Sequence, residues 1–523
     1  MPMNLTVNAP WFGQFLLTSG PNDLPFDLPE NWQSFTLSNH TLRVCPSVPC
    51  ATGQTDTTQI VTLGCSFCGV EKKSPAEKAE EMARADWSAP DALPESVQTL
   101  VGRFLLFVLH EGNLRILPDP TLSFHAFVGR GSSGQLYASS EIKLLRATKQ
   151  FAPNASESWS WSLRQHRFQR QSRHPLDETD LAGVQMIPAN HVWHLGHQEG
   201  PIRVFPFRKK AKTETEPVSS LMLKAITTAS SNAQEAGYKI WFPITAGQDS
   251  RFIASAAMHG HTQAILSQPV HLYHIQKKAL SPMNRVDLNH AHHLQQQGID
   301  VVIFTEKSKA ELTQLQYQPL RWHSAVGHQT FGLPLNDGNL FPRNDLFAMG
   351  HTAEILKNMQ DGPDCTTGVE AAKSLSFPNH QKAIAVLDEW VKSVRKVAFA
   401  FGYRISEFLW WERQLSLFSG TQMHLANLTA PTWSPFNSWQ IIEASLGLPL
   451  KERDHHTSRF FAKNIAKWGP VLAQFPYNPD RRTRSITILK KLRVYWLYRP
   501  LGLWWRWYWS GREQKRATRS RLN

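Results

Sequence analysis

Near residue 208 the hydrophobic patterning of the chain changes, and that change limits the folds open to it. Before it, short apolar stretches alternate with Pro, Asn, Ser and Thr, and IVTLGCSFCGV, GRFLLFVL and LRIL read as strands. Glu111-Gly112-Asn113 is the turn of a hairpin. PAEKAEEMARAD, with Pro75 near its start and acids early, reads as a helix. SFHAFVGRGSSGQLYASSEIKLL adds two strands around a Gly/Ser turn. Residues 1–207 therefore predict a strand-rich α+β domain, and the polar run RKKAKTETEPVSS (208–220) a linker. After it, helix SLMLKAITTASSNAQEA, strand KIWFPI, helix FIASAAMHG, strand PVHLYHI, helix VDLNHAHHLQQQG and strand VVIF follow in turn. Alternation of this kind makes βαβ units and a parallel sheet. From about 345 to 475 the residues read as mainly helical, so 221–480 form a second, α/β domain. No repeat is visible.

The stretch most informative about chemistry is Ile244-Thr245-Ala246-Gly247-Gln248-Asp249-Ser250-Arg251, a tight turn between strand KIWFPI and helix FIASAAMHG. In an open α/β sheet, ligands bind at the carboxyl ends of strands. Small residues there expose consecutive backbone N–H groups, and the helix N-terminus adds partial positive charge, which suits phosphate or pyrophosphate. Thr245 and Ser250 add hydroxyl donors. Asp249 would repel a bare phosphate, so its presence calls for Mg²⁺ between the two. The same residues also read as an ordinary strand–helix turn capped by Asp249 or Ser250. The stretch is not a Walker A loop, because G-x-x-x-x-G-K-[ST] does not occur.

TAGQDSR after a strand resembles the pyrophosphate loop of the asparagine synthetase family, usually written S-G-G-x-D-S. Further segments fall in that family's order. GRFLLFVLHEGNLRILPDP and GQLYASSEIKLL resemble the end of its amidotransferase domain, DLAGVQMIPANHVWHL the segment that closes it, and RVFPF the exit from it. VDLNHAHHLQQQGI is similar to the D-x-x-x-A helix, with Asp287 and Ala291 matching. GHTAEILK resembles a divergent acidic second loop, with Glu354 as the matching carboxylate. EFLWWERQLSLFSG, APTWSPFNSWQIIEASLGLPLKER and FPYNP resemble later segments, the last in members linked to surface-polysaccharide biosynthesis. The resemblance spans roughly residues 60–480.

What the resemblance implies is a degenerate Ntn-type, class II glutamine amidotransferase sandwich over 1–207, followed by an adenine-nucleotide alpha-hydrolase-like ATP pyrophosphatase domain over 221–480. It implies an ATP-dependent amide ligase: a carboxylate is adenylated, then ammonia or an amine displaces AMP. Asp249 would bind Mg²⁺ and act in catalysis. Thr245, Ala246, Gly247, Gln248, Ser250 and Arg251 would hold the nucleotide phosphates, and Glu354 would be a second metal ligand or position the amine. Ala246 stands where the family has Gly, and Lys451 or Arg453 lies where a late basic residue would neutralise the acyl-adenylate. The family's glutaminase uses a Cys at position 2, whereas this sequence has Pro2 and Met3, so no glutamine hydrolysis by that route is expected. The alternative is a catalytically inactive scaffold of the same fold in envelope polysaccharide biosynthesis, and convergence of Asp249 and Glu354 on one cleft separates the two.

Smaller features leave alternatives open. Cys45, Cys50, Cys65 and Cys68 have spacing within the loose range of a structural zinc site, or are core thiols. Asp287, His290 and His293 lie near one helix face as metal ligands or as solvated side chains, and Trp410, Trp411 and Trp433 read as core.

The formal net charge is +14, but residues 481–523 carry 13 Lys+Arg and one acid, Glu513, leaving +2 for the rest. That excludes reading the whole chain as a nucleic-acid coat. Eight Tyr or Trp lie between 495 and 509, and uncharged runs there reach six residues at most, too short to cross a bilayer. Trp and Tyr favour the headgroup region and Lys/Arg bind anionic lipid, so 486–521 is expected to contact a membrane peripherally. A packed terminal helix ranks next and nucleic-acid binding last. MPMNLTVNAPWF lacks the signature of a secretory signal, so the expected location is the cytoplasm, at the inner face of the plasma membrane. The carboxylate acceptor is accordingly expected on a sugar or envelope precursor. Deleting 481–523 is expected to release the protein from anionic vesicles in a flotation assay while its thermal unfolding midpoint stays put. A collapsed fold would mean that the tail is core structure.

Overall fold

The computed structural model describes residues 13–154, 179–195, 200–276, 282–305, 344–359, 364–477 and 488, apart from 21–23, 25, 27, 29, 92, 180, 376–378, 380, 428, 429, 456 and 457. Pro2, Met3 and the basic aromatic tail, Ile488 excepted, lie outside the described residues.

Two antiparallel six-stranded sheets form the first half. One runs in the order β10 (Val184–Met186), β8 (Phe127–Arg130), β9 (Leu136–Ser139), β1 (Phe15–Ser19), β3 (His40–Val44) and β2 (Gln33–Leu37). The other runs β12 (Gly200–Arg203), β11 (His191–Leu195), β7 (Asn113–Pro118), β6 (Leu100–His110), β5 (Thr58–Cys68) and β4 (Cys50–Gln54). Fully buried Phe15 and Phe107, one from each sheet, meet edge to face at 5.3 Å, so the sheets share one core. β6 is buried at every position from Leu100 to Val108, which is why GRFLLFV reads as a continuous apolar run rather than an alternation. His110 pairs with Asn113, so Glu111 and Gly112 make a two-residue turn. Both have positive φ, as the turn matching strand twist requires. Helix α1 (Pro75–Ala83) opens with a Ser74/Glu77 capping box. It lies so close on β4 that a Cβ at Gly53 would stand 2.1 Å from the Ala79 carbonyl oxygen.

The second half holds a five-stranded parallel sheet in the order β15 (Val301–Thr305), β14 (His271–Gln276), β13 (Lys239–Pro243), β16 (Asp345–Ala348) and β17 (Thr432–Trp433). Ile240 and Phe242 face the main core, while Trp241, Tyr273 and Phe347 form a separate aromatic cluster. Helices α2 (Thr215–Glu235), α3 (Gln248–Thr262) and α4 (Pro282–Gln296) accompany the first strands. Later come α5 (Ala353–Leu356), α6 (Gln381–Phe401), α7 (Ile405–Trp410), a π-helix (Trp411–Gly420), α8 (Thr421–Ala426), α9 (Trp439–Gly447) and α10 (Arg459–Trp468). Two expectations differ from this. Helix α2 begins at Thr215, inside the stretch read as a linker, and 208–213 is pinned by Arg208–Glu443 and Lys210–Glu407 ion pairs. β16 lies within a region read as mainly helical, because DLFA is too short to show periodicity.

The two halves are joined through buried polar groups. Asp119 accepts hydrogen bonds from Thr121, Ser123, Phe104 and Phe124, and from Asn437 Nδ2 across the junction. His424 of α8 meets Glu141 at 2.6 Å, with both side chains at most 2% exposed. Glu412, at the start of the π-helix, accepts from Arg203, Asn190 and Trp390. Burial pushes its carboxyl up, but Arg203 outweighs that and brings it down to about 2.

A carboxylate held below its ordinary 4.5 stabilises the fold above that value and loses its contribution as pH falls toward about 2. The drop corresponds to roughly 3 kcal/mol at neutral pH. Glu412→Gln, which also leaves Arg203 unpaired, should cost roughly 3–5 kcal/mol in urea unfolding at pH 7. The gap to wild type should narrow below pH 4.5. A gap independent of pH would contradict this reading of the junction.

Candidate functional site

Strand order locates the crevice. From β13 the chain moves outward through β14 and β15, then returns to β13's other side with β16 and β17. The order thus reverses between β13 and β16, and in open α/β sheets a crevice opens at such a point, beyond the carboxyl ends of the strands. Two loops border it: 244–247, leading from β13 into α3, and 349–352, leading from β16 into α5. They touch. A Cβ at Gly350 would stand 3.0 Å from Asp249 Cβ and 3.1 Å from the Ser250 amide nitrogen, so the second loop packs tightly against the first turn of α3 there. Thr352 takes a positive φ of 80°, a strained choice for a β-branched residue. The loop is held by Ser434, whose hydroxyl donates to the His351 carbonyl, and by Met349 N–H donating to Trp433 O.

The first loop is fixed from three sides. Thr245 Oγ1 lies 2.6 Å from Ser250 Oγ and accepts from Gly247 N–H. Asp287 of α4 accepts from Ala246 N–H at 2.6 Å, and His290 Nδ1 lies 3.0 Å from the Thr245 carbonyl oxygen. A carbonyl only accepts, so Nδ1 carries the proton. Burial, then the Arg251 charge, pushes the imidazole down to about 3, leaving a neutral ring whose buried Nε2 has no partner. Arg251 donates to five backbone carbonyls: Thr245 and Ala246 in the loop, and Leu472, Phe475 and Pro476 near the end of the domain. All five N–H groups of the guanidinium are thereby used.

The N-terminus of α3 at Gly247 has no side-chain cap. Its first-turn N–H groups have no intrahelical acceptor and add the positive end of the helix dipole. Asp249 stands in that first turn with its side chain 30% exposed, and Lys357 Nζ lies 2.5 Å from its Oδ1. Glu354, in α5, approaches from the other loop. Its Oε1 accepts from Ser419 of the π-helix at 3.0 Å, and its Oε2 is buried without a partner. Burial, then the Asp249 charge, raises the Glu354 carboxyl above its ordinary value. The structure thus brings Asp249, Glu354, Thr245 and Ser250 to one crevice.

Other candidates go elsewhere. Arg453 is buried against Glu407, and Lys451 is exposed. Cys45 Sγ lies beside Ser47 Oγ, Cys50 Sγ donates to the Val48 carbonyl, and Cys65 and Cys68 are buried along β5. Among the described residues no three His, Cys, Asp or Glu side chains are grouped to hold a metal. Trp411 and Trp433 are fully buried. Lys357 and Ser419 were not singled out from the sequence. Lys357 sits three residues after Glu354, but its ion-pair partner comes from another loop.

No family model matches the chain, and no curated protein matches it. Several solved structures show likeness, among them the following two. One is described as glutamine phosphoribosylpyrophosphate amidotransferase from B. subtilis complexed with ADP and GMP, at 6% identity and TM-score 0.21 over 64% of this chain. The chain spans 63% of that protein's length. The other is described as the allosteric regulatory enzyme of purine biosynthesis, at 8% identity and TM-score 0.23, covering 66% of this chain and 70% of the other.

Arg251→Lys keeps a charge but offers three donors from a flexible stem, so at least two carbonyls lose their partner. The expected outcome is a loss of about 2–4 kcal/mol in chemical denaturation. Hydrogen exchange should quicken in 244–252 and 472–476 together. Exchange changing in one segment only would contradict the clamp.

Proposed function

We propose that the crevice between β13 and β16 binds the phosphates of ATP and that the protein activates a carboxylate as its adenylate, which ammonia or another amine converts to an amide. The observation that carries this reading is the meeting of Asp249 and Glu354 from two loops, beside an uncapped helix N-terminus at the point of strand reversal. The α3 first turn would hold the leaving pyrophosphate, with the Thr245 and Ser250 hydroxyls turned from each other to the phosphate oxygens. Asp249, partly exposed at the crevice, is a hard oxygen donor that fits Mg²⁺, which usually takes one or two carboxylates and completes its shell with phosphates and water. When bound, that ion neutralises phosphate charge and polarises the α-phosphorus toward attack.

In the first step a carboxylate oxygen attacks the α-phosphorus and pyrophosphate leaves. In the second the amine nitrogen attacks the acyl carbon, AMP leaves with the bonding pair, and the nitrogen sheds a proton. Glu354, biased toward holding a proton by burial and by Asp249, is placed to exchange one within the crevice. Asp287 and His290 hold the shape of the loop rather than reach the reacting atoms. The carboxylate we propose is carried on a sugar or envelope precursor, brought near by peripheral contact of 486–521 with the membrane. Among the described residues no helix is long and apolar enough to cross a membrane.

The test is ATP–pyrophosphate exchange dependent on an added carboxylate. Asp249→Ala should reduce it by roughly 10²–10³-fold, typical of removing a preorganised electrostatic group. Glu354→Gln should spare exchange more than amide formation. If the protein neither binds ATP·Mg²⁺ nor supports exchange with any of a panel of uronic acids, amino acids and dicarboxylates, the scaffold reading replaces this one.

A further inference from the structure

The steps above make no use of Lys357, yet its surroundings are unusual for a lysine. It is 7% exposed, and a lysine so buried needs a partner. Its Nζ lies 2.5 Å from Asp249 Oδ1 and 5.6 Å from the centre of the Phe461 ring. Three residues before it in sequence, Glu354 presents a buried Oε2 without a partner and is near enough to feel both the Asp249 and the Lys357 charges. One ammonium therefore stands among the carboxylates contributed by both loops, in the place a divalent cation would take.

We propose that Lys357 is a resident counter-ion that keeps free divalent metal off Asp249, so that metal enters the crevice only together with a polyanion that takes the lysine over. This rests on the phosphate-binding reading of the same crevice. A metal ion arriving alone must displace the ammonium from Asp249. The lysine is then left nine-tenths buried, without its ion pair to Asp249 and with a dication beside it, which is strongly unfavourable. A phosphate at the first turn of α3 removes that obstacle, because it lies beside Asp249 and offers the ammonium a new partner. Metal and polyanion then assist each other's binding, and linkage makes the assistance equal in both directions.

The test follows free Mn²⁺ by electron paramagnetic resonance during titration of the full chain, with sulfate as a dianion that binds Mn²⁺ weakly in solution. Wild type should bind Mn²⁺ poorly alone and several-fold more tightly in saturating sulfate. Lys357→Met should bind it at least tenfold more tightly than wild type without sulfate and lose the sulfate effect. Adding Asp249→Asn should abolish that gain. If Lys357→Met does not fold, the sulfate effect on wild type decides. Equal Mn²⁺ affinity in wild type and Lys357→Met, or tight binding to wild type that sulfate leaves unchanged, overturns the proposal. The two readings fail separately. Exchange activity with no change in Mn²⁺ affinity sinks the counter-ion alone, whereas an Mn²⁺ site gained in Lys357→Met without any ATP·Mg²⁺ binding sinks the nucleotide reading.

Discussion

The guanidinium of Arg251 fixes the crevice. Its five N–H groups bind two carbonyls of the loop after β13 and three from residues 472–476, more than 220 positions away along the chain. A buried arginine is costly unless every donor is satisfied. Burial lowers it to about 10 and still leaves it charged at neutral pH. Because these carbonyls turn toward Arg251, the loop cannot relax without stranding a buried charge. Asp287 and His290 fasten the same loop from α4. Asp249 and the first turn of α3 are thus presented from a rigid support, which a site for phosphoryl chemistry needs.

The second loop is tied to the rest of the molecule differently. Glu354 leans on Ser419 of the π-helix, whose opposite end carries Glu412, locked to Arg203 of β12. Gly420, at the end of that helix, packs against the Leu122 carbonyl of the first half, where a Cβ would come within 2.9 Å. π-helical turns are rare and favour functional sites, since the extra residue per turn redirects side chains. Here that winding lets one element hold both the junction between the halves and the acid of the crevice. With His424–Glu141 and Asn437–Asp119 also buried at the junction, the first half acts as a fixed wall behind the parallel sheet.

Much of this was legible in the residues. The hairpin at Glu111-Gly112, the Ser74 cap, the alternation after residue 220 and the TAGQDSR turn all carry local signals, and the elements formed where those signals lie. What escaped depends on contacts distant in sequence. DLFA is a strand because it slots between β13 and β17, not because four residues show a period. The 208–214 stretch is polar yet held in place, because Arg208 meets Glu443 and Lys210 meets Glu407, both far away in sequence. Arg251, expected at phosphate, faces carbonyls of a segment whose proximity no spacing reveals. Lys357 is the plainest case, since its significance lies wholly in an ion pair between two loops.

Hydrogen–deuterium exchange of the full chain with Mg²⁺ and a non-hydrolysable ATP analogue tests the siting of the nucleotide most directly. Binding in the crevice predicts slowed exchange confined to the loop and first turn at 245–252 and to 349–357, absent in Asp249→Ala. Protection elsewhere, or none at an analogue concentration that saturates binding, would contradict an ATP-phosphate site between β13 and β16.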